Sequence, residues 1–503
     1  MAIKLEKLEL LTKAQIEALT HAELISLATL WRDRIEKYQG ILFRFKNKLF
    51  GKSSEKSNSN STPNEDSGPE GDSPKPKKTR TDTTKKLSER YPDAPVKVDE
   101  IGFTEPPCCP ACGDAMQDSG MREECEYLTT EPKEFIIVKQ VRQKSRCGSC
   151  HSAIVTAPVP ARIIPGGSYS DDMIVDATLS KYCDLIPMER YCQMAARSGL
   201  IGLPPHSLIA ASMKLSSFLK STYLKIRQET LNTKVLLADE TPHRMLEGDA
   251  KTRWFLWGFS SQTACFFECH DTRSGDVSTA VLSESICEFL VTDVYSGYAK
   301  TIRIVNENRT EKNLPIIYAA NCNAHARRKF KDRDSNEVSD DAQSMIDQYE
   351  EIYRLNKEAK NQAAEVILEK RSQMKPLFDA MKQEVKQKIE NYSSKSQMYT
   401  AYNYFLENYE GLTRFLDNHL VPIDNNLSER ILRSHVVGRK TWYGTHSRRA
   451  AETAAVHFSI VESCKLIGLN PREFYADAVR RVHKKETPVT PQEYKLSRDT
   501  QTG

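Results

Sequence analysis

VLLADETP, residues Val235–Pro242, carries the strongest structural signal in the chain. Four apolar residues lead directly into Asp239 and Glu240, and Thr241–Pro242 closes the run. A short apolar run that ends in a turn signal predicts a buried strand. A buried carboxylate is costly unless a cation or a metal lies nearby, so the two acids mark a candidate site. Successive strand residues point to opposite faces, and only one of these acids can therefore face that site.

Two further acids occur in comparable settings. Asp293 follows the apolar run Phe289–Val291 in EFLVTDVYSGY, which predicts a second strand, and Glu429 lies in IDNNLSERILRS, which has helical character. Two strand-borne aspartates and one helix-borne glutamate supply the oxygen ligands that two Mg²⁺ ions need for phosphoryl transfer. We therefore predict a catalytic site that binds magnesium or manganese through Asp239, Asp293 and Glu429, with Asp239 bridging the ions.

Composition limits the protein classes to consider. The chain has 503 residues, enough for several domains, and its 72 basic and 68 acidic residues give a net charge of +4. Any DNA binding must therefore come from local basic patches. No stretch approaches the ~18 consecutive apolar residues of a membrane span, and the N-terminus MAIKLEKLEL lacks a signal-peptide core. We expect a protein that is not exported and does not enter a membrane, and thirteen cysteines in that setting favour thiols and metal ligands.

The N-terminal segment, residues 1–50, contains a heptad pattern. Apolar residues spaced alternately by four and three form one seam on a helix: Leu24, Ala28, Trp31, Ile35, Tyr38, Leu42, Phe45 and Leu49. The seam predicts either a coiled coil that joins protomers into a homo-oligomer or an amphipathic helix docked on its own domain. Residues 51–95 are rich in Ser, Asn, Pro and Lys and predict a disordered linker.

Residues 96–165 contain two CxxC motifs, Cys109–Cys112 and Cys147–Cys150. Two such pairs complete a tetrahedral site, so we predict a structural zinc ion bound by Cys109, Cys112, Cys147 and Cys150. The sequence between the pairs alternates apolar and polar residues, as a β-hairpin would. A redox motif and unpaired core cysteines are the alternatives, and two matched motifs favour zinc.

Residues 166–233 are predicted to be helical. Two amphipathic stretches, 188–199 and 205–220, flank a turn that contains Gly202, Pro204 and Pro205. This pattern fits a helix–turn–helix DNA-binding domain and a plain helical hairpin about equally.

The remainder of the chain predicts an α/β ribonuclease H-like core with a large all-helical insertion. The first part of the core spans 234–332 and contains an aromatic-rich hairpin, a helix and further apolar runs. Residues 333–418 are charged and helical and form the predicted insertion. The core resumes at 419–460 with Glu429, and 461–503 is a C-terminal helical segment and tail.

Two basic clusters lie close in sequence to the predicted strands and to Glu429. One follows the apolar run 314–321, and the other lies on the same predicted helix as Glu429, which shares a helical face with Arg433. We predict that these clusters contact DNA phosphates; they comprise Arg327, Arg328, Lys329, Arg430, Arg433, Arg439 and Lys440. Asn425 and Asn426 are expected to cap the Glu429 helix, with a hydrogen bond to DNA as the alternative.

Taken together, several stretches resemble the insertion sequence 66 family of bacterial transposases. They are VLLADETPHRML, LVTDVYSGY, NCNAHARRKF, IDNNLSERILRSHVVGRKTWYG, LFGKSSEK, the paired CxxC motifs and ESCKLIGLNPREFY. The resemblance covers nearly the whole chain except the linker. It implies a DDE transposase with Asp239, Asp293 and Glu429 as its triad, a leucine-zipper-like N-terminus, a zinc-binding domain and a helical insertion. It also implies two small accessory proteins of the same element.

Asn323 is a departure from that family, which usually has Trp before AHARRKF. The residue is not a predicted ligand, so the difference concerns local packing rather than chemistry.

The resulting expectation is a metal-dependent transposase. It would bind the ends of its mobile element, free 3′-hydroxyls by hydrolysis and join them to target DNA. A zinc-ribbon DNA-binding regulator with an inactive core and a structure-specific nuclease on the same fold are the alternatives, and a strand-transfer assay separates the three.

Overall fold

The computed structural model describes residues 20, 86–90, 96–98, 125–127, 133–146, 154–246, 253–331 and 339–502. The predicted coiled coil at 22–50 and all four predicted zinc ligands, Cys109, Cys112, Cys147 and Cys150, lie outside these residues. Within the predicted linker, residues 86–90 are described and include the short helix α1 (Leu87–Arg90). All described helices and strands lie in the unit Pro76–Gly503.

A two-stranded hairpin and four helices precede the main sheet. They are β1 (Lys144–Arg146), β2 (Ile154–Thr156), α2 (Asp171–Tyr182), α3 (Met188–Arg197), α4 (Pro205–Phe218) and α5 (Lys220–Leu231). β1 and β2 are antiparallel. The helices α3 and α4 coincide with the two predicted amphipathic stretches, and Pro205 lies in the first turn of α4, where its fixed φ suits a helix.

A five-stranded mixed sheet forms the centre of this unit. Its strands are β3 (Val235–Arg244), β4 (Arg253–Ser260), β5 (Cys265–His270), β6 (Phe289–Thr292) and β7 (Tyr318–Asn321), in the spatial order β5-β4-β3-β6-β7. β4 runs against both neighbours, whereas β3, β6 and β7 are parallel. The helix α6 (Gly275–Ser283) connects β5 to β6, and α7 (Ser296–Glu311) connects β6 to β7. Leu236 and Leu237 enter different hydrophobic clusters, as alternation along a strand requires.

A helical block follows β7 and the short helix α8 (Asn323–Arg328). It comprises α9 (Asp340–Ala359), α10 (Ala364–Lys388), α11 (Gln397–Glu407) and α12 (Tyr409–Thr413), with 3₁₀ turns at Ile389–Asn391 and Arg414–Asp417. The apolar residues of α9 and α10 lie in one hydrophobic cluster. The same hydrophobic cluster includes Val235, Leu237 and Val291, so the block covers one face of the parallel strands.

Asn323 connects α8 to the segment that follows this block. It is fully buried, and its Nδ2 donates to the carbonyl oxygens of Leu412 (2.9 Å) and Ile423 (3.0 Å). Two good acceptors offset the cost of burying the amide. Asn323, which departs from the family pattern, therefore has a role in packing.

Four helices complete the unit: α13 (Asn426–Trp442), α14 (Arg448–Leu466), α15 (Pro471–His483) and α16 (Pro491–Thr502). α14 covers the outer edge of β5. The backbone N–H of Phe267 donates to Ser459 Oγ (2.9 Å), and that of Cys265 donates to Ser463 Oγ (3.0 Å). Serines four residues apart share a helical face, so α14 satisfies polar groups that an edge strand would otherwise expose. None of the described helices is long and apolar enough to cross a membrane.

α4 is also built into this core. Ser216 Oγ lies 3.2 Å from Thr453 Oγ1, and His457 Nε2 donates to the Ser212 carbonyl oxygen at 3.0 Å. The face of α4 that carries Ser212 and Ser216 is therefore packed against α14 and is not free to contact DNA. A DNA contact by α4 would have to use the opposite, exposed face, which includes His206 and Lys214.

The burial of His457 lets us predict how the free energy of unfolding depends on pH. Its Nδ1 accepts from the Tyr475 hydroxyl (2.9 Å) while Nε2 donates to Ser212, and complete burial lowers the pKa of His457 to about 4. Because this value lies below the unfolded value of about 6.5, the stabilisation is complete above about pH 6.5 and is lost as the pH falls toward 4. We expect a loss of about 2 kcal/mol at about pH 5 in urea unfolding.

His457→Gln separates this effect from other acid effects, because glutamine does not titrate. The variant should be less stable at neutral pH but should lose this part of the pH dependence. An identical pH dependence in both proteins would contradict the assignment.

Candidate active site

Asp239 lies in the middle of β3 rather than at its end. The prediction that Thr241–Pro242 closes the strand is wrong, because β3 continues to Arg244 and pairs with β4 throughout that stretch. β6 pairs with β3 only as far as Leu237. Beyond that residue one edge of β3 has no neighbour among the described strands, and proline, which lacks an N–H, is tolerated at such an edge.

Asp293 lies level with Asp239 because of the strand register. Leu237 pairs with Val291 in parallel, and each aspartate comes two residues after its member of that pair. Equal offsets along parallel strands bring side chains to the same level and the same face. Burial and then the charges of Glu240 and Asp293 raise the pKa of Asp239 well above its usual range.

Glu429 brings the third carboxylate from the first turn of α13. Burial is the main cause that raises the pKa of Glu429. The negative charges of Asp424 and Asp293 raise it further, whereas Arg328 lowers it. The charge of Glu429 in turn raises the pKa of Asp239. The structure thus brings Asp239, Asp293 and Glu429 into one electrostatically coupled group, the carboxylate cluster.

Glu240 lies on the opposite face of β3, where it forms an ion pair and a hydrogen bond that we call the Glu240 anchor. Arg273 Nε donates to Glu240 Oε1 (2.7 Å), and the Tyr298 hydroxyl donates to Oε2 (2.6 Å). The Glu240 side chain is only 1% exposed, and these donors offset its burial. Alternation along the strand therefore separates Asp239, which faces the cluster, from Glu240, which fixes β3 to α7. Sequence analysis did not find Arg273 or Tyr298, because both contacts depend on the tertiary fold.

Two oxygens of the carboxylate cluster lack hydrogen-bond partners among the described residues. They are Asp293 Oδ1 and Glu429 Oε1, and both are buried. His325 Nε2 lies 3.7 Å from Glu429 Oε1, and burial lowers the pKa of His325 to about 4, so this ring carries no charge at neutral pH. Unpaired carboxylate oxygens with raised pKa values have the donor chemistry that a hard divalent cation requires.

The three carboxylates would have to move closer together to enclose an ion. In the described part of the chain, no group of three or more His, Cys, Asp or Glu side chains is already spaced to hold a metal.

Two predicted DNA-binding residues also contact the helical block. Arg327 Nη2 donates to Glu350 Oε1 (2.9 Å), and its guanidinium lies 5.8 Å from the centre of the Tyr353 ring. The Lys329 ammonium lies 4.5 Å from the centre of the Tyr404 ring. Ion-pair and cation–π contacts hold both cations against the block. These contacts join the α8 region to the block, and DNA binding by both residues stays a prediction.

The predicted cations on α13 extend from the residue after Glu429 to the last turn of the helix. Arg430, Arg433 and Lys440 are exposed, whereas Arg439 is half-buried and burial lowers the pKa of its guanidinium. Arg433 lies one turn from Glu429 on the same helical face and lowers the pKa of that carboxyl. Arg433 also lines a groove of about 460 Å³ on α13. The groove is lined by Leu185, Arg430, Ile431, Arg433, Ser434, Val437, Glu462, Lys465 and Leu466.

The cap of α13 differs from the expectation. Asp424 supplies it, since Asp424 Oδ1 accepts from the Asn426 N–H (3.2 Å) and Oδ2 accepts from Asn426 Nδ2 (2.9 Å). Asn425 occupies the N-cap position without a side-chain cap bond. All three residues are good capping types, so the sequence IDNN does not by itself show which one caps.

Comparison with known proteins gives one family match. A family model described as "Transposase IS66 family" matches residues 166–453, more than half of the chain. The range includes all three residues of the carboxylate cluster and begins after the four predicted zinc ligands.

Curated relatives in Sinorhizobium fredii (strain NBRC 101917 / NGR234) are similar along most of this chain. "Uncharacterized protein y4hP" is 25% identical over 422 residues, covering 80% of this chain and 74% of the relative. "Uncharacterized protein y4jD" is 26% identical over 405 residues, covering 78% of each.

The Glu240 anchor gives a stability prediction. Arg273→Ala would leave a buried carboxylate with Tyr298 as its remaining partner, and breaking such a pair costs about 3 kcal/mol. Urea unfolding measures this loss. Arg303→Ala removes an exposed arginine of α7 and should cost less than about 0.5 kcal/mol. Equal stability of the two variants would contradict the anchor.

Proposed function

Because the chain belongs to the IS66 family of transposases, we propose that it cuts DNA at the ends of its mobile element and joins the freed 3′-hydroxyls to target DNA. The observation that carries the proposal is the carboxylate cluster. The pairing of Leu237 with Val291 sets Asp239 level with Asp293, and the charge of Glu429 acts on Asp239. The protein would thus be a DDE enzyme, with these three residues as its triad.

The sheet supports a ribonuclease H-like core for this enzyme. β4 alone runs against the other four strands, and of the two aspartates Asp239 lies within β3 while Asp293 follows the neighbouring parallel strand β6. The helical block at Asp340–Asp417 then acts as the proposed insertion before the catalytic glutamate.

Asp239, Asp293 and Glu429 are the residues that would hold magnesium or manganese. Bound divalent ions supply charge neutralisation at the phosphate and lower the pKa of an attacking water or hydroxyl. The buried, unpaired oxygens of Asp293 and Glu429 fit this role in charge and in donor type. The Glu240 anchor on the opposite face of β3 keeps the Asp239 side chain directed at the cluster.

α13 would hold the DNA strand beside these carboxylates. Arg433 lies one turn from Glu429, and Arg430 lines the same groove. Guanidinium groups bind phosphate oxygens through paired N–H donors, so these two arginines would orient the phosphate next to the reacting one.

The proposed enzyme has further parts outside the described residues. The cysteines 109, 112, 147 and 150 would bind a structural zinc ion, and the heptads at 22–50 would join protomers into a homo-oligomer. The family resemblance adds two small accessory proteins of the same element as partners.

Asp239→Asn tests the enzymatic role. With labelled duplexes that carry the terminal repeats of the element, we expect cleavage and strand transfer to fall by more than about 100-fold, since even outer partners of a metal site contribute 10- to 100-fold. Binding to the ends should remain, because the substitution preserves shape and removes one negative charge.

Asp340→Asn is the matched control, because Asp340 is an exposed acid of the helical block. It should leave cleavage unchanged. Full cleavage by Asp239→Asn would disprove the assignment. Binding without any cleavage by the wild-type protein would indicate a regulator, and cutting of DNA junctions without joining would indicate a nuclease.

A further inference from the structure

Asn425 is a buried amide that contacts the strand carrying Asp239. The residue is fully buried, and its Nδ2 donates to the carbonyl oxygen of Ala238 at 3.1 Å. Only the nitrogen of the amide can donate to a carbonyl, so this contact fixes its orientation. Ala238 immediately precedes Asp239, and the hydrogen bond therefore acts on the backbone one residue from the first carboxylate.

The backbone of Asn425 extends the connection to the other two carboxylates. Its carbonyl oxygen accepts from the Glu429 N–H (3.2 Å). Its own N–H donates to Cys322 Sγ (3.2 Å), and the Cys322 N–H donates to the Thr292 carbonyl oxygen (3.1 Å). Thr292 immediately precedes Asp293. Through these contacts one residue is linked to the backbone at or next to every member of the carboxylate cluster.

Helix capping does not account for this side chain. The first turn of α13 is already capped by Asp424, and Asn425 makes no side-chain cap bond. Its Oδ1 is buried without a hydrogen-bond partner among the described residues. A buried amide that is only half satisfied is costly, which argues for a role beyond packing.

We infer that Asn425 is a positioning residue for the metal-binding carboxylates. It sets the separation between β3, the start of α8 and the first turn of α13, so that Asp239, Asp293 and Glu429 can close on the ions. This inference rests on the proposed function. Outer-shell partners that orient metal ligands typically contribute 10- to 100-fold in metal affinity.

Mn²⁺ titration calorimetry of the full-length protein tests the inference without DNA. Asn425→Ala should weaken Mn²⁺ binding at the carboxylate cluster by about tenfold or more. Asn426→Ala is the matched control, because its side chain contacts Asp424 instead of β3; it should change Mn²⁺ affinity by less than about twofold. Thermal unfolding in the absence of metal shows whether each variant is folded.

The Cys322 contact gives an independent test if Asn425→Ala does not fold. Cys322→Ser retains an acceptor for the Asn425 N–H and should keep Mn²⁺ affinity, whereas Cys322→Ala removes it and should lose affinity as Asn425→Ala does.

The outcomes separate this inference from the proposed function. Asp239→Asn must abolish the measured Mn²⁺ binding; if the wild-type protein binds no better than that variant, the proposed metal site fails and the inference fails with it. If the wild-type protein binds Mn²⁺ and both Asn425→Ala and Cys322→Ala bind equally well, the positioning role is overturned while the metal site stands.

Discussion

The parallel pairing of β3 with β6 is the constraint on which the site depends. It fixes Leu237 opposite Val291 and thereby sets Asp239 level with Asp293. α13 then adds the charge of Glu429 at the same place. Burial raises the pKa of all three carboxyls, and neighbouring negative charges raise those of Asp239 and Glu429 further, whereas Arg273 lowers that of Asp293. Like charges packed together destabilise the fold unless a cation neutralises them. The carboxylate cluster therefore supports the proposed metal-binding role.

The helical block determines how α13 reaches the sheet. Its hydrophobic cluster includes Val235 and Leu237, so the block packs directly on the strand that carries Asp239. Asn323 in α8 donates to the carbonyl oxygen of Leu412 in α12 and to that of Ile423 on the segment that leads into α13. The block is therefore part of the scaffold that places Glu429, in addition to any role in contacting DNA.

The local pattern of the sequence predicts the elements of this site but few of its long-range contacts. Short apolar runs before Asp239 and Asp293 were enough to predict two strands. Equal offsets from the paired residues Leu237 and Val291 explain why the two acids lie at the same level. The extent of β3 past Pro242 was not predictable, because it depends on continued pairing with β4. The partners of Glu240, Arg327 and Asn425 come from elements distant in sequence, and periodicity carries no information about them.

Anomalous X-ray scattering from crystals soaked in Mn²⁺ would test the central claim most directly, because it locates the ion itself. If the carboxylate cluster binds the metal, we expect an anomalous peak in contact with carboxylate oxygens of Asp239 and at least one of Asp293 and Glu429, and no such peak in crystals of Asp239→Asn. Mn²⁺ bound elsewhere, or an unoccupied carboxylate cluster at a saturating concentration of the ion, would contradict it.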